Sequence, residues 1–127
     1  MRRMLITSLV VLMLAMAACT LVQVNVNRVV KHARHLRTRA IAAMDAREIQ
    51  TAEETMVQLA GYIARNDDWL AMVCDHGDLH EIKADIIDAQ AAIEFGIEDD
   101  FYQAVYRFGE GLEHIAEMQE LSLRNLY

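Results

Sequence analysis

A chain of 127 residues with no proline, five glycines and 54% hydrophobic residues is one domain's worth of long helices, and this composition excludes a sandwich or barrel built on Gly- and Pro-rich turns. The net charge of −7 hides a split: residues 20–44 carry five bases (Arg28, Lys31, Arg34, Arg37, Arg39) and no acid, whereas all nineteen acids lie from Asp45 onward beside only five bases. An acidic body of this kind repels nucleic acid. Either the cationic first segment packs against the rest with complementary charge, or it lies as a collar on anionic lipid or polyanionic envelope polymers.

In chain order, Met1-Arg2-Arg3 is a short positive start, and the nineteen residues from Met4 to Val22 hold no charge. At ~1.5 Å per residue such a run spans about the hydrocarbon thickness of a bilayer. Residues 1–22 therefore read as a transmembrane anchor or as a lipoprotein signal, and residues 23–127 as the domain. Met16-Ala17-Ala18 before Cys19 is similar to the bacterial lipobox, with Met16 in place of the usual leucine, and makes Cys19 the candidate lipid-attachment residue. A positive-inside count, five bases after the run and two before, keeps the body in the cytoplasm. A signal or lipobox places it outside, and the extracytoplasmic face of a bacterial membrane is the reading adopted here.

Beyond the anchor the apolar residues fall at helical steps: Val22, Val26, Val29, Ala33, Leu36, Ala40 and Ala43 form one stripe. The brief alternation over Leu21–Asn27 finds no second strand to pair with. Asp45 with Glu48 forms a capping-box pattern that opens a second helix, whose stripe is Ile49, Ala52, Met56, Leu59 and Ile63. Continuing in register, that stripe reaches Leu70 and Val73, with a break expected at Asn66-Asp67-Asp68 and Asp68 as its cap. Gly77 reads as a helix end and Asp78 with Glu81 as the next start. The third stripe is Leu79, Ile82, Ile86, Ala89 and Ile93, widened by Ile87 and Phe95, and Gly96 closes it. Asp100 with Gln103 opens the last helix, with stripe Phe101, Val105, Phe108, Leu112 and Ile115. Gly109 and Gly111 inside that helix suggest a close approach by a neighbour, and the apolar tail Leu121–Tyr127 is expected to dock back. The fold class is thus all-α, an up-down antiparallel bundle of three to four helices preceded by the anchor or signal helix. Trp69, with Leu70, Val73, Leu79 and Ile82, is expected in the core or at an interaction surface, Trp69 as a plug at one end.

Trp69 followed by Asp75-His76, Leu79 and Ile82, the preceding Ala52–Leu59 helix and the closing segment Glu120–Leu126 together resemble a bacterial family known as domain of unknown function 4363. The resemblance implies a short membrane- or lipid-anchored helical protein without an assigned activity. Gly77 and the ending Leu126-Tyr127 depart from its pattern.

No motif in the chain carries catalysis. Asp75, His76, Asp78, His80 and Glu81 offer oxygen and imidazole ligands that could hold a divalent metal, but Asp78 and Glu81 serve as well as helix caps. Glu110, His114 and Glu117 share a helical face that the interior residues leave to solvent, and His32 and His35 stand among cations that oppose a metal. Cys74, beside Asp75 and Asp78, lacks the electropositive setting that makes a thiolate, and with Cys19 lipidated or membrane-embedded no disulfide is available. No cofactor is implied. The expected role is non-enzymatic: a membrane-tethered bundle touching membrane lipid through its N-terminal segment and binding an envelope protein. The alternative is a metal- or pH-responsive sensor using Asp75, His76, His80 and Glu81.

Overall fold

The computed structural model describes residues 1–126, except the side chains of Leu123 and Leu126. Five helices occur among them: α1 (Arg2–Asp45), α2 (Ile49–Arg65), α3 (Asp67–Val73), α4 (His76–Phe95) and α5 (Glu98–Leu126), with no strand. The alternating stretch Leu21–Asn27 is helical. The apolar N-terminal run and the first domain stripe are one element, because nothing between Met4 and Asp45 breaks a helix: no glycine, no proline, and a continuous α-helical ladder.

Four long helices close a ring in which α1 lies against α2 and α5, and α4 against α2 and α5. Pairings between α1 and α5 run in opposite sequence order, from Arg34 with Glu113 through Arg37 with Val105 to Arg47 with Glu98 beyond the end of α1. The α4–α5 pairs, Asp78 with His114 and Asp85 with Arg107, do the same. The core between them holds Val26, Met56, Leu59, Ile63, Ile82, Phe101, Val105, Phe108 and Leu112, each under 3% exposed. The one buried polar residue among the described residues, Thr55, donates its hydroxyl to the Thr51 carbonyl at 2.7 Å.

The helix starts depart from the capping patterns. Asp45 is the last residue of α1, and its carboxylate accepts a 2.5 Å hydrogen bond from the Tyr102 hydroxyl of α5. The reversal is made instead by Arg47, in the left-handed region at φ 60°, so that α2 begins only at Ile49 and Glu48 caps nothing with its side chain. Gly77 does not end a helix. Cys74 and Asp75, both extended, make the break, α4 starts at His76, and Gly77 lies within its first turn. There the backbone N–H groups lack intrahelical partners anyway, so a glycine costs little. Asp78, exempted from capping, faces His114 at 3.5 Å. A side-chain cap contributes about 1 kcal/mol. Each buried Leu or Ile contributes about 1.5–3 kcal/mol, so the register of Leu79, Ile82 and Ile86 against α5 prevails over the cap.

Other expectations fare unevenly. The chain does break at Asn66, but Asp68 is not the cap: Asn66 occupies that position and donates its side-chain amide to the Tyr62 carbonyl at 2.8 Å. Gly96 closes α4 at φ 71°, with the Ile97 amide returning to the Ala92 carbonyl. Ile49, Ile87 and Phe95 lie outside the core, with Phe95 73% exposed, because each projects away from the face that α4 or α2 turns to its neighbours. Along the tail α5 continues as helix to Leu126 with Leu121 exposed, and Tyr127 lies outside the described residues.

Both α5 glycines mark close approaches. A Cβ on Gly111 would lie 2.7 Å from Ile82 Cγ2, and one on Gly109 would lie 2.6 Å from Arg37 Nε. The space at Gly109 lets Arg37 cross to donate to the Val105 carbonyl at 2.6 Å while lying 5.5 Å from the Tyr106 ring centroid. For Gly111→Ala, overpacking against Ile82 costs about 1–3 kcal/mol, against a helix-propensity gain of about 1 kcal/mol. The expected outcome is a melting temperature lowered by several degrees, followed by circular dichroism. Gly77→Ala, at an exposed first turn, is expected not to lower it, and equal behaviour of the two would contradict the close approach.

Candidate functional site at the anchor-proximal end

The apolar half of α1 has no protein neighbour. Met4, Leu5, Ile6, Leu9 and Leu14 are 58–77% exposed, and the apolar window of this helix is unburied with a mean hydropathy of 2.5. Burial begins at Val26, about one turn past Val22, which is itself half-buried. So large an uncovered apolar surface is foreign to a water-soluble monomer. By length and composition this is the one helix among the described residues able to cross a membrane. Cys19 is half-buried within the unbroken helix.

Where α1 enters the domain, the end of α2 and the start of α3 stand across a groove from it. Trp69 is not the buried plug expected of it. It is half-buried, packed on the core rim, and lines a groove of about 540 Å³ with Asn25, Arg28, Val29, His32, Tyr62 and Asn66. Seven residues make α3 too short to cover the ring on both sides, so Leu70 takes the core position at 2% exposure and leaves Trp69 at the edge. Leu79 and Ile82 are buried, and Val73 is half-buried with its carbonyl accepting from the Gln119 amide at 2.6 Å. The His32 and Tyr62 rings stand 4.3 Å apart. Burial raises the Tyr62 phenol above its ordinary value, opposed by the nearby Arg28 and Arg65 charges. Sequence reasoning missed this groove, although a signal existed: Asn25, Arg28 and His32 on α1 recur at steps of three and four, as do Tyr62, Asn66 and Trp69 across the break between α2 and α3.

The acidic and histidine cluster at the α3–α4 junction is not gathered. Asp75, His76, His80 and Glu81 are all exposed, and no group of three or more potential metal ligands converges among the described residues. His80, Glu81, Asp85 and His114 line an open groove between α4 and α5. Within it burial holds the Asp85 carboxyl above its usual value against the opposing pull of Arg107. Glu110, His114 and Glu117 flank a second groove beside Arg34 and Arg37. At the far end of the ring Tyr102 is pushed up to about 12, chiefly by its hydrogen bond to Asp45. There Ile87, Ala91 and Phe95 form an outward row at four-residue steps, and Ala91, Phe95 and Ile97 line a groove of about 350 Å³ with Asp88, Asp100, Gln103 and Arg107.

Fold and surface together define an all-α protein whose first helix is long and apolar enough to span a membrane and then serves as a wall of the helical domain. The chain belongs to the family described as domain of unknown function (DUF4363), whose model matches residues 20–126, beginning one residue after Cys19. No curated protein and no solved structure matches it.

Cys74 is half-buried, and burial first and Asp78 second push its thiol above the ordinary value. Thiolate is therefore scarce at neutral pH, and in a Cys19→Ser background alkylation by iodoacetamide is expected to be slower than that of a free thiol and still accelerating beyond pH 9. A rate that levels off below pH 8 would show an activated cysteine instead.

Proposed function

We propose that this protein is a non-enzymatic, membrane-tethered up-down bundle of four long helices that presents a docking surface to another protein of the bacterial envelope. Residues 1–22 fasten it, by spanning the bilayer or through a lipid on Cys19, and the body stands on the extracytoplasmic side. The observation that carries this reading is the outward row Ile87, Ala91, Phe95 and Ile97. Phe95 is 73% and Ile87 64% exposed. Apolar side chains left outside a closed core, with Asp88 and Asp100 beside them and Asp88 paired to Arg107, suit a partner with an apolar patch and a polar rim. The interior is filled by Phe101, Phe108 and Leu112, and the grooves that remain are open, which favours binding over turnover.

A photo-crosslinking residue placed at Phe95 in the full-length chain is expected to capture one recurrent envelope protein, and Phe95→Glu with Ile87→Glu to abolish the capture without altering helicity. Absence of a recurrent companion, or capture indifferent to those changes, would overturn the docking role. Mass spectrometry of the mature N-terminus distinguishes the two fastenings: a chain beginning at a lipid-modified Cys19, or an intact Met1. Extraction of the full-length protein from membranes by alkaline carbonate would overturn both.

A further inference from the structure

Four grooves are large enough to receive a ligand, and three are lined by carboxylates: Glu110, Glu113 and Glu117 on α5, Asp78, Glu81 and Asp85 between α4 and α5, and Asp88 and Asp100 beside Phe95. The fourth, between α1, α2 and α3, has none in its lining, on a chain with nineteen acids. Its polar groups are Arg28 and His32 with the amides of Asn25 and Asn66, set against the Tyr62 and Trp69 rings. We infer that this groove binds the phosphodiester headgroup of an anionic phospholipid. The inference rests on the tethered reading above, since the tether fixes the height of the groove.

That height follows from α1 being unbroken. Asn25 and Arg28 lie three and six residues beyond Val22, hence about 5 and 9 Å along the axis, within or just above the headgroup layer of a bilayer whose apolar core ends near Val22. If the chain is instead fastened by a lipid on Cys19, Asn25 is about 9 Å beyond it, and the groove remains at the surface. Tryptophan and tyrosine favour this layer, where a ring meets apolar chains and its polar tip meets water. Arg28 donates to the Asn25 side-chain carbonyl and has no carboxylate partner among the described residues. By contrast, further along α1, Arg34 pairs with Glu113 and Arg37 with a backbone carbonyl. Arg28 is thus the guanidinium in the lining of this groove, and it is left to an external anion. A guanidinium flanked by amide donors is the pairing that phosphate oxygens accept in fixed geometry, whereas a sugar without phosphate has no use for the cation and a zwitterionic headgroup brings its own ammonium against it.

The acids nearby oppose a general attraction to anionic lipid without filling the groove. Asp67 is engaged by Lys83 at 2.8 Å, and Asp68 is exposed to solvent. Charges farther off along the body are screened over a Debye length of about 8 Å. Selectivity therefore comes from contact at Arg28 and not from the net charge of −7.

Trp69 is the single tryptophan, so its emission reads this groove alone. The full-length protein in a neutral detergent is titrated with monomeric dihexanoyl phosphatidylglycerol, with dihexanoyl phosphatidylcholine and with sn-glycerol 3-phosphate, and native mass spectrometry counts retained lipid in parallel. The expected result is saturable binding of the phosphatidylglycerol, weaker by roughly tenfold or more for phosphatidylcholine and for the Arg28→Gln protein, with unchanged helicity. Equal binding of the two lipids, indifference to Arg28→Gln, or neither an emission change nor retained lipid would overturn the assignment. An equal response to sn-glycerol 3-phosphate would make the ligand a soluble phosphate ester, and also overturns it. Because the titration is done in detergent, it reads the groove whether or not the chain proves membrane-bound. Carbonate extraction from cells tests the tether separately.

Discussion

A single uninterrupted helix that is bare along one half and a core wall along the other constrains everything built on it. From Val26 to Met44, α1 contributes eight buried residues to the centre of the domain, while from Met4 to Leu14 its side chains are exposed. The two halves share one hydrogen-bond ladder and hence one axis. The other helices can only be arranged around an element whose direction has already been set, and the order of the α1–α5 pairs, Arg34 to Glu113 through Arg47 to Glu98, records that they follow it.

Charge is distributed to suit that arrangement. The cationic segment of α1 meets the acidic remainder at Glu113, while Arg37 satisfies the Val105 carbonyl and covers Tyr106. Such exposed pairs contribute about 0–1 kcal/mol each and do not hold the bundle together. The core does that, and the small residues of α5 decide how tightly: Gly109 and Gly111 admit Arg37 and Ile82 to within distances that a methyl group would forbid. The polar pairs select the order in which the helices meet and leave the energy of association to Phe101, Phe108 and their neighbours.

Much of this was written in three-and-four spacing. Val26, Val29, Ala33, Leu36, Ala40 and Ala43 all lie inside, as do Ala52, Met56, Leu59 and Ile63, because a stripe records which side of a helix is dry. Boundaries were less legible. Asp45 and Asp78 look like caps to anyone reading neighbours in the chain, but their carboxylates face Tyr102 and His114, from a helix more than thirty residues away. Gly77 shows the same limit, since glycine punctuates a helix only where the backbone needs a left-handed residue, and here Arg47 and Gly96 take those positions. The candidate site was hardest to foresee. Asp75, His76, His80 and Glu81 are adjacent in sequence and form no converging ligand set among the described residues, whereas Asn25, Tyr62 and Trp69 are distant in sequence and share one groove. Proximity across helices is set by the way stripes mesh, and one stripe alone does not reveal its partner's register.

The length of α1 has a mechanical consequence. Between Val22 and Asp45 the helix rises about 35 Å, so with its bare half in a lipid leaflet the reversal at Arg47 sits that far above the hydrocarbon. A stiff rod pivoting at its foot multiplies small changes of angle. A span tilted by about 20°, an ordinary value for a single crossing, carries the tip sideways by roughly 12 Å. Thickening or thinning of the bilayer would thereby swing the acid-bordered Phe95 end through an arc as wide as a helix, turning a property of the lipid into a displacement among neighbouring proteins.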